Sequence, residues 1–163
     1  MTAPLTAPPR FYLLVGIPGS GKTTYARRHL ADALRVSLDD VRLMLTGVAF
    51  DPAFEPYVVA AAHAALGALL RRAARWRRDV VLDATNITRQ RRRYYLAIAA
   101  RRAIPTVAVY LRCPLDVALV RNRQRSPAVP DDVVCRFHAA LEPPTLDEGF
   151  AAIYEVVTAR TSA

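Results

Sequence analysis

Lysine is nearly absent from this sequence. Of its 23 basic residues, Lys22 alone is lysine and the other 22 are arginine. Cysteine is scarce too. Cys113 and Cys135 lack metal-ligand spacing, and nothing in their number asks for an oxidising compartment. The most apolar stretch, Ala60–Leu70, is too short to cross a bilayer, contains His63 and runs into the basic RRAARWRR. The opening MTAPLTAPPR has no early charge followed by an apolar segment, so it reads as a flexible lead and not a signal peptide. No repeat, interdomain linker or low-complexity block is visible. These absences exclude a bilayer-spanning helix and a disulfide scaffold, and the expectation is one cytoplasmic globular domain.

What is present is a chain of 163 residues, 53% apolar, with a formal charge of +9. That charge favours an anionic partner, although the arginine bias equally fits codon composition. Short apolar runs rich in β-formers predict strands at Phe11–Val15, Arg35–Ser37, Val80–Ala84, Thr106–Leu111 and Ala151–Val157. Helical spacing predicts helices over Lys22–Leu34, Asp39–Leu45, Tyr57–Arg78, Thr88–Ala103, Pro114–Arg125 and Asp131–Glu142. Strands that are apolar throughout and alternate with helices imply a parallel sheet covered on both faces, an α/β fold.

GIPGSGKTT, Gly16–Thr24, satisfies the pattern G-x-x-x-x-G-K-[ST] between a predicted buried strand and a predicted helix. Glycines let backbone N–H groups face phosphates, and the following helix adds its positive end. The one lysine of the chain falls where such a loop needs a compact ammonium on a flexible stem. Lys22 can reach β- and γ-phosphates, and the Thr23 hydroxyl can ligate Mg²⁺. Asp83, ending a buried strand, either holds that ion or caps the turn that follows with Thr85 and Asn86. Asp39 and Arg42, three apart on one helical face, suit an acceptor with a hydroxyl and a nearby phosphate, or are only a cap and its intrahelical partner. Arg121 and Arg125, four apart on one predicted face before the break SPAVP, suit a small lid closing over ATP, or are a solvated arginine face.

Together GIPGSGKTT, SLDDVR, DATN, PLDVALVRNRQR, VPDDVV and EPPTLDEGF, in that order, resemble the 5′-kinase domain of phage- and bacterial-type polynucleotide kinases. These lie in the adenylate-kinase-like branch of P-loop phosphotransferases, together with zeta-type toxins. The resemblance implies a P-loop NTPase fold whose five-stranded parallel sheet has the order 2-3-1-4-5, flanked by helices, with a small arginine-bearing lid. It implies ATP and Mg²⁺ as cofactors. The loop residues Gly16, Pro18, Gly19, Ser20, Gly21, Lys22, Thr23 and Thr24 are the expected nucleotide site, to which the resemblance adds Arg121, and Thr23 and Asp83 are the candidate metal ligands. Asp39 becomes the base for the acceptor hydroxyl, Arg42 the contact to an acceptor phosphate, and Lys22 and Arg125 the clamps on the transferring group. The chain departs from these kinases at Leu38, where they usually carry arginine. The expected organisation is a lead over residues 1–10, a kinase domain over 11–158 and a tail over 159–163.

Three functions fit. The first is an ATP-dependent kinase acting on a polynucleotide 5′-hydroxyl. RRAARWRR with Trp76 and RQRRRYY with Tyr94 and Tyr95 would hold phosphates and stack bases, unless they are solvated helix faces with core aromatics. The second is a kinase for a nucleoside, sugar or antibiotic. The third is a nucleotide-binding regulatory module with little transfer activity.

Overall fold

The computed structural model describes residues 7–158. Five strands form one all-parallel sheet: β1 Phe11–Val15, β2 Leu34–Ser37, β3 Val80–Asp83, β4 Thr106–Arg112 and β5 Ala152–Val157. Their spatial order is β2-β3-β1-β4-β5, the order the resemblance implied. The helices between them are α1 Lys22–His29, α2 Leu38–Thr46, α3 Glu55–Trp76, α4 Arg89–Ala100, α5 Leu115–Arg123 and α6 Asp131–Ala139. A single 3₁₀ turn, Leu146–Glu148, precedes β5. Among the described residues no helix is long and apolar enough to cross a membrane.

Alternation along β1 divides the core. Phe11 and Leu13 face one layer, where they pack with Leu66 and Leu70 of α3 and Leu96 of α4. Leu14 faces the other, with Ala26 of α1 and Val81, Val109 and Leu111. A third cluster joins Ile17 of the glycine loop to Ile87 and to Val117, Ala118 and Val134 of α5 and α6. The loop is thereby tied into the core. Leu38, the departure from the resemblance, is buried in the first layer. Because all strands run in one direction, their carboxyl ends share one edge of the sheet, where an α/β crevice forms.

Several boundaries differ from expectation. Helix α1 stops at His29 and not Leu34, so that the chain can turn into β2. Helix α3 starts two residues earlier, at Glu55, with Pro56 in the first turn, where a missing N–H leaves nothing unpaired. Helix α5 ends at Arg123, short of Arg125. Arg10, assigned to the lead, is anchored: its N–H donates to Asp79 Oδ1 at 2.8 Å and its carbonyl accepts from Val80. Residues 1–6 of the lead and the tail 159–163 lie outside the described residues.

Candidate active site

The phosphate loop links β1 to α1 at the carboxyl edge of the sheet. Gly16 donates its N–H to Thr85 O (2.9 Å), which pins the loop to the end of β3. Gly19, at φ +81, lies so close to α5 that a Cβ there would stand 2.2 Å from the Ala118 carbonyl oxygen. Gly21 caps α1 in the left-handed conformation, and a Cβ on it would meet nothing within 4 Å. The loop therefore backs onto protein through Gly19 and opens outward at Gly21. No residue of the first turn of α1 is itself acidic. Pro18 and Ser20 are buried and Thr24 is exposed.

Lys22 is buried, and its Nζ donates to Ile17 O at 2.8 Å and lies 3.5 Å from Ser20 Oγ. Burial pushes its pKa down to about 8. The charges of Asp83 and Asp39 oppose that shift, and the charge of Arg125 adds to it. Groups from three separate parts of the chain thus act at one ammonium.

Asp83 ends β3 almost completely buried. Its Oδ2 accepts from Thr23 Oγ1 at 2.9 Å, which brings together the two expected metal ligands. A hydroxyl and a carboxylate are hard oxygen donors, and Mg²⁺ characteristically uses few protein ligands, so this pair fits that ion. The same Oδ2 also accepts from Arg35 Nη1 at 2.6 Å. Arg35, on β2, bridges to Asp40 as well. This competing cation escaped the sequence reading, because strand adjacency brings it to Asp83.

The two aspartates after β2 separate. Ser37 is the cap of α2, accepting from Asp40 N at 3.3 Å, so the helix does not use Asp39 for that purpose. Asp39 Oδ1 accepts from Arg42 Nη1 at 2.6 Å, and its Oδ2 from Arg125 Nη2 at 3.1 Å. Arg42 is also gripped from α3: its Nε and Nη2 donate to the two carboxylate oxygens of Glu55 at 2.6 and 3.1 Å. Glu55 was not foreseen, because the contact crosses between helices.

Arg121 and Arg125 do not share a helical face. Arg121 sits half-buried in the last turn of α5, whereas Arg125 follows the end of that helix in an exposed segment. From there Arg125 crosses to Asp39.

The two basic stretches lie in different surroundings. Trp76 to Arg78 adjoin the start of β3, at the edge of the sheet opposite the glycine loop, and Arg78 Nε donates to Asp32 O. In RQRRRYY, Arg89 pairs with Asp147, and Arg92 is 0% exposed against a Glu148 side chain only 3% exposed. Tyr95 is buried and bonded to His63, and Tyr94 stacks on that ring with centroids 4.3 Å apart. Arg91 and Arg93 remain exposed.

Arg92 Nη1 holds the carbonyls of Asn86, Ile87 and Glu142 at 3.1, 3.2 and 2.8 Å. Asn86, left-handed at φ 46, in turn donates from Nδ2 to Leu14 O at 2.8 Å. A buried bracket therefore runs from Glu148 through Arg92 and Asn86 to the strand that carries the phosphate loop.

Residues 12–144 match the family AAA_33, described as an AAA domain. The L-seryl-tRNA(Sec) kinase of Methanococcus maripaludis is 25% identical over 137 residues, covering 81% of this chain and 52% of that one. The chain thus spans about half the length of the curated relative it matches. In the solved Pnkp1/Rnl/Hen1 RNA repair complex, one chain superimposes with a TM-score of 0.69 at 24% identity, covering 85% of this chain and 46% of that chain. Kti12 of Chaetomium thermophilum, solved in complex with ADP-AlF3, gives 0.63 at 18% identity over 90% of this chain and 88% of that chain. Both solved structures share the fold.

Proposed function

This chain belongs to the AAA_33 family of AAA domains, and we propose that it is an ATP-dependent kinase that phosphorylates a hydroxyl, first among acceptors the 5′-hydroxyl of a polynucleotide. The observation that carries the reading is the meeting of Asp39 and Arg125, a carboxylate and a guanidinium from distant segments that approach to 3.1 Å at the carboxyl edge of the sheet from which the phosphate loop also leaves.

In this reading Asp39 accepts the proton of the acceptor hydroxyl through a lone pair its two arginines leave open. The acceptor oxygen bonds to the γ-phosphorus as the bond from that phosphorus to the β–γ bridging oxygen breaks, and ADP departs. Lys22 and Arg125 sit against the charge that spreads over the transferring group, and the glycine-loop N–H groups hold the β-phosphate. Thr23 and Asp83 would hold Mg²⁺, which would supply positive charge to the transferring phosphate. A relative named for a kinase of seryl-tRNA supports an acceptor hydroxyl carried on a nucleic acid.

A small hydroxylated acceptor is the second reading, favoured by the engagement of Arg42 with two carboxylates and by the placement of Trp76 away from the loop. Label transfer from γ-labelled ATP decides between them, with 5′-hydroxyl DNA, 5′-hydroxyl RNA, nucleosides and sugars offered in parallel. Label on a metabolite but on no oligonucleotide refutes the polynucleotide reading. Tight ATP binding with no labelled acceptor leaves the regulatory module.

A further inference from the structure

Arg42 carries more carboxylate than a phosphate-binding arginine should. Its Nε and Nη2 form a two-pronged pair with Glu55, and its Nη1 donates to Asp39. A guanidinium grips a phosphate through two parallel N–H donors on one edge. The Nε–Nη2 edge of Arg42 is filled by Glu55, and on the Nη1 side one donor goes to Asp39. The pair with Glu55 is not a loose surface contact: the two side chains are only 17% and 22% exposed and sit on different helices, α2 and the first turn of α3. Within the cluster, Asp39 and Glu55 offset Arg42 and Arg125.

We infer that Glu55 is a specificity-determining residue of the acceptor side, competing with the phosphate of an acceptor for the guanidinium of Arg42. The inference rests on reading Asp39 and Arg42 as the acceptor side of a kinase. A phosphate that takes the two-pronged Nε–Nη2 edge of Arg42 has to displace Glu55, and a phosphate-free acceptor does not. Glu55 thereby narrows the preference between the two classes. Were Glu55 simply a strut aiming Arg42, its loss would weaken phosphate-bearing ligands, the opposite sign.

The test is equilibrium binding of adenosine 3′-monophosphate and of adenosine, each in the presence of ADP, to the wild type, Glu55→Gln and Glu55→Gln/Arg42→Gln. Glutamine keeps the length and a hydrogen bond but removes the charge. The expected result for Glu55→Gln is binding of the 3′-monophosphate about fivefold tighter, adenosine unchanged, and the gain abolished in the double variant. Unchanged or weaker binding of the 3′-monophosphate to Glu55→Gln, including no measurable binding, overturns the inference. So does an equal gain for adenosine. Label transfer by the wild type is scored separately. Its absence from every hydroxyl acceptor removes the kinase reading, whereas the sign of the Glu55 effect judges the inference alone.

Discussion

Asp39 and Arg125 lie 86 residues apart in the chain, yet Asp39 Oδ2 accepts from Arg125 Nη2 at 3.1 Å. The contact joins the start of α2 to the segment after α5, on either side of the phosphate loop. It depends on α5 ending early. Continued to residue 125, the helix would have set Arg125 above Arg121 on a single face, as the spacing predicts. The turn after Arg123 instead lets Arg125 reach across, and the Asp39 carboxylate is held between two guanidinium groups.

If these two residues serve base and clamp, their removal leaves different traces. Asp39→Asn keeps size and hydrogen bonding but cannot take a proton, so kcat is expected to fall by about 10²–10⁴-fold while ATP binding holds. Arg125→Ala removes charge from the transferring group, with an expected loss of about 10³-fold or more in kcat. Single-turnover transfer, with ATP binding measured separately, reads both. Full activity of Asp39→Asn removes the base assignment.

Lys22 sets a pH dependence on nucleotide binding. Its folded pKa is about 8, below the ordinary 10.5, because burial disfavours the charged form. The sign follows. Phosphates favour the charged form, so binding raises this pKa, and above about pH 8 each ATP bound draws in a proton. Affinity is expected to weaken as pH rises beyond about 8, and titration calorimetry in buffers of different ionisation enthalpy should report the uptake. In the absence of nucleotide, the penalty of burying the ammonium is full below about pH 8 and is relieved as pH climbs towards 10.5. A proton count of zero at pH 9 would contradict this account.

Legibility in the sequence followed the range of the interactions. Continuous apolar strands and the glycine loop are local signals, and all five strands lie where the residues predicted them. The sheet order came only with the resemblance, since periodicity says nothing about which strand neighbours which. Helix spacing joined Asp39 to Arg42 because that contact spans one turn. Spacing could not reveal Glu55 on Arg42, or Arg35 on Asp83, because those contacts cross between elements. Arg92 did leave a trace. It sits three, four and seven residues before Tyr95, Leu96 and Ala99, on the buried stripe of α4, so the helical period separates it from its neighbours in the arginine run.

The Arg92–Glu148 pair predicts where stability is concentrated. Arg92→Ala leaves a buried carboxylate without its cation and takes a donor from three carbonyls, with an expected loss of about 3–5 kcal/mol by chemical denaturation. Paired apolar replacement, Arg92→Met with Glu148→Leu, should restore part of the loss. Burial pushes the Glu148 carboxyl up, but its bonds to Arg92 and Thr145 and the nearby arginine charges outweigh this and hold it below the ordinary 4.5. Its contribution is therefore complete above that value and lost as pH falls through the lower folded one. The wild type should lose more stability on acidification than the apolar pair does.

The start of α3 and the loop before it also present apolar surface that the core does not use. Phe54 and Tyr57 bracket Glu55 at the start of α3, and Tyr57 is 70% exposed. Phe50 and Met44 are exposed in the preceding loop and on α2. Phe54 and Tyr57 are three apart and share a face, one residue before and two after the carboxylate that grips Arg42. These rings point away from Arg42, so only a polynucleotide long enough to run from the site over this end of α3 can stack a base on them, a contact worth about 1–3 kcal/mol per base. Tyr57→Ala should then raise KM for a 5′-hydroxyl oligonucleotide about tenfold, leaving KM for ATP and kcat at saturation unchanged. A sugar acceptor has no planar base, and its KM should not respond. Steady-state kinetics on both acceptors separates the outcomes. Equal KM values for wild type and Tyr57→Ala on the oligonucleotide would free this surface from the acceptor site.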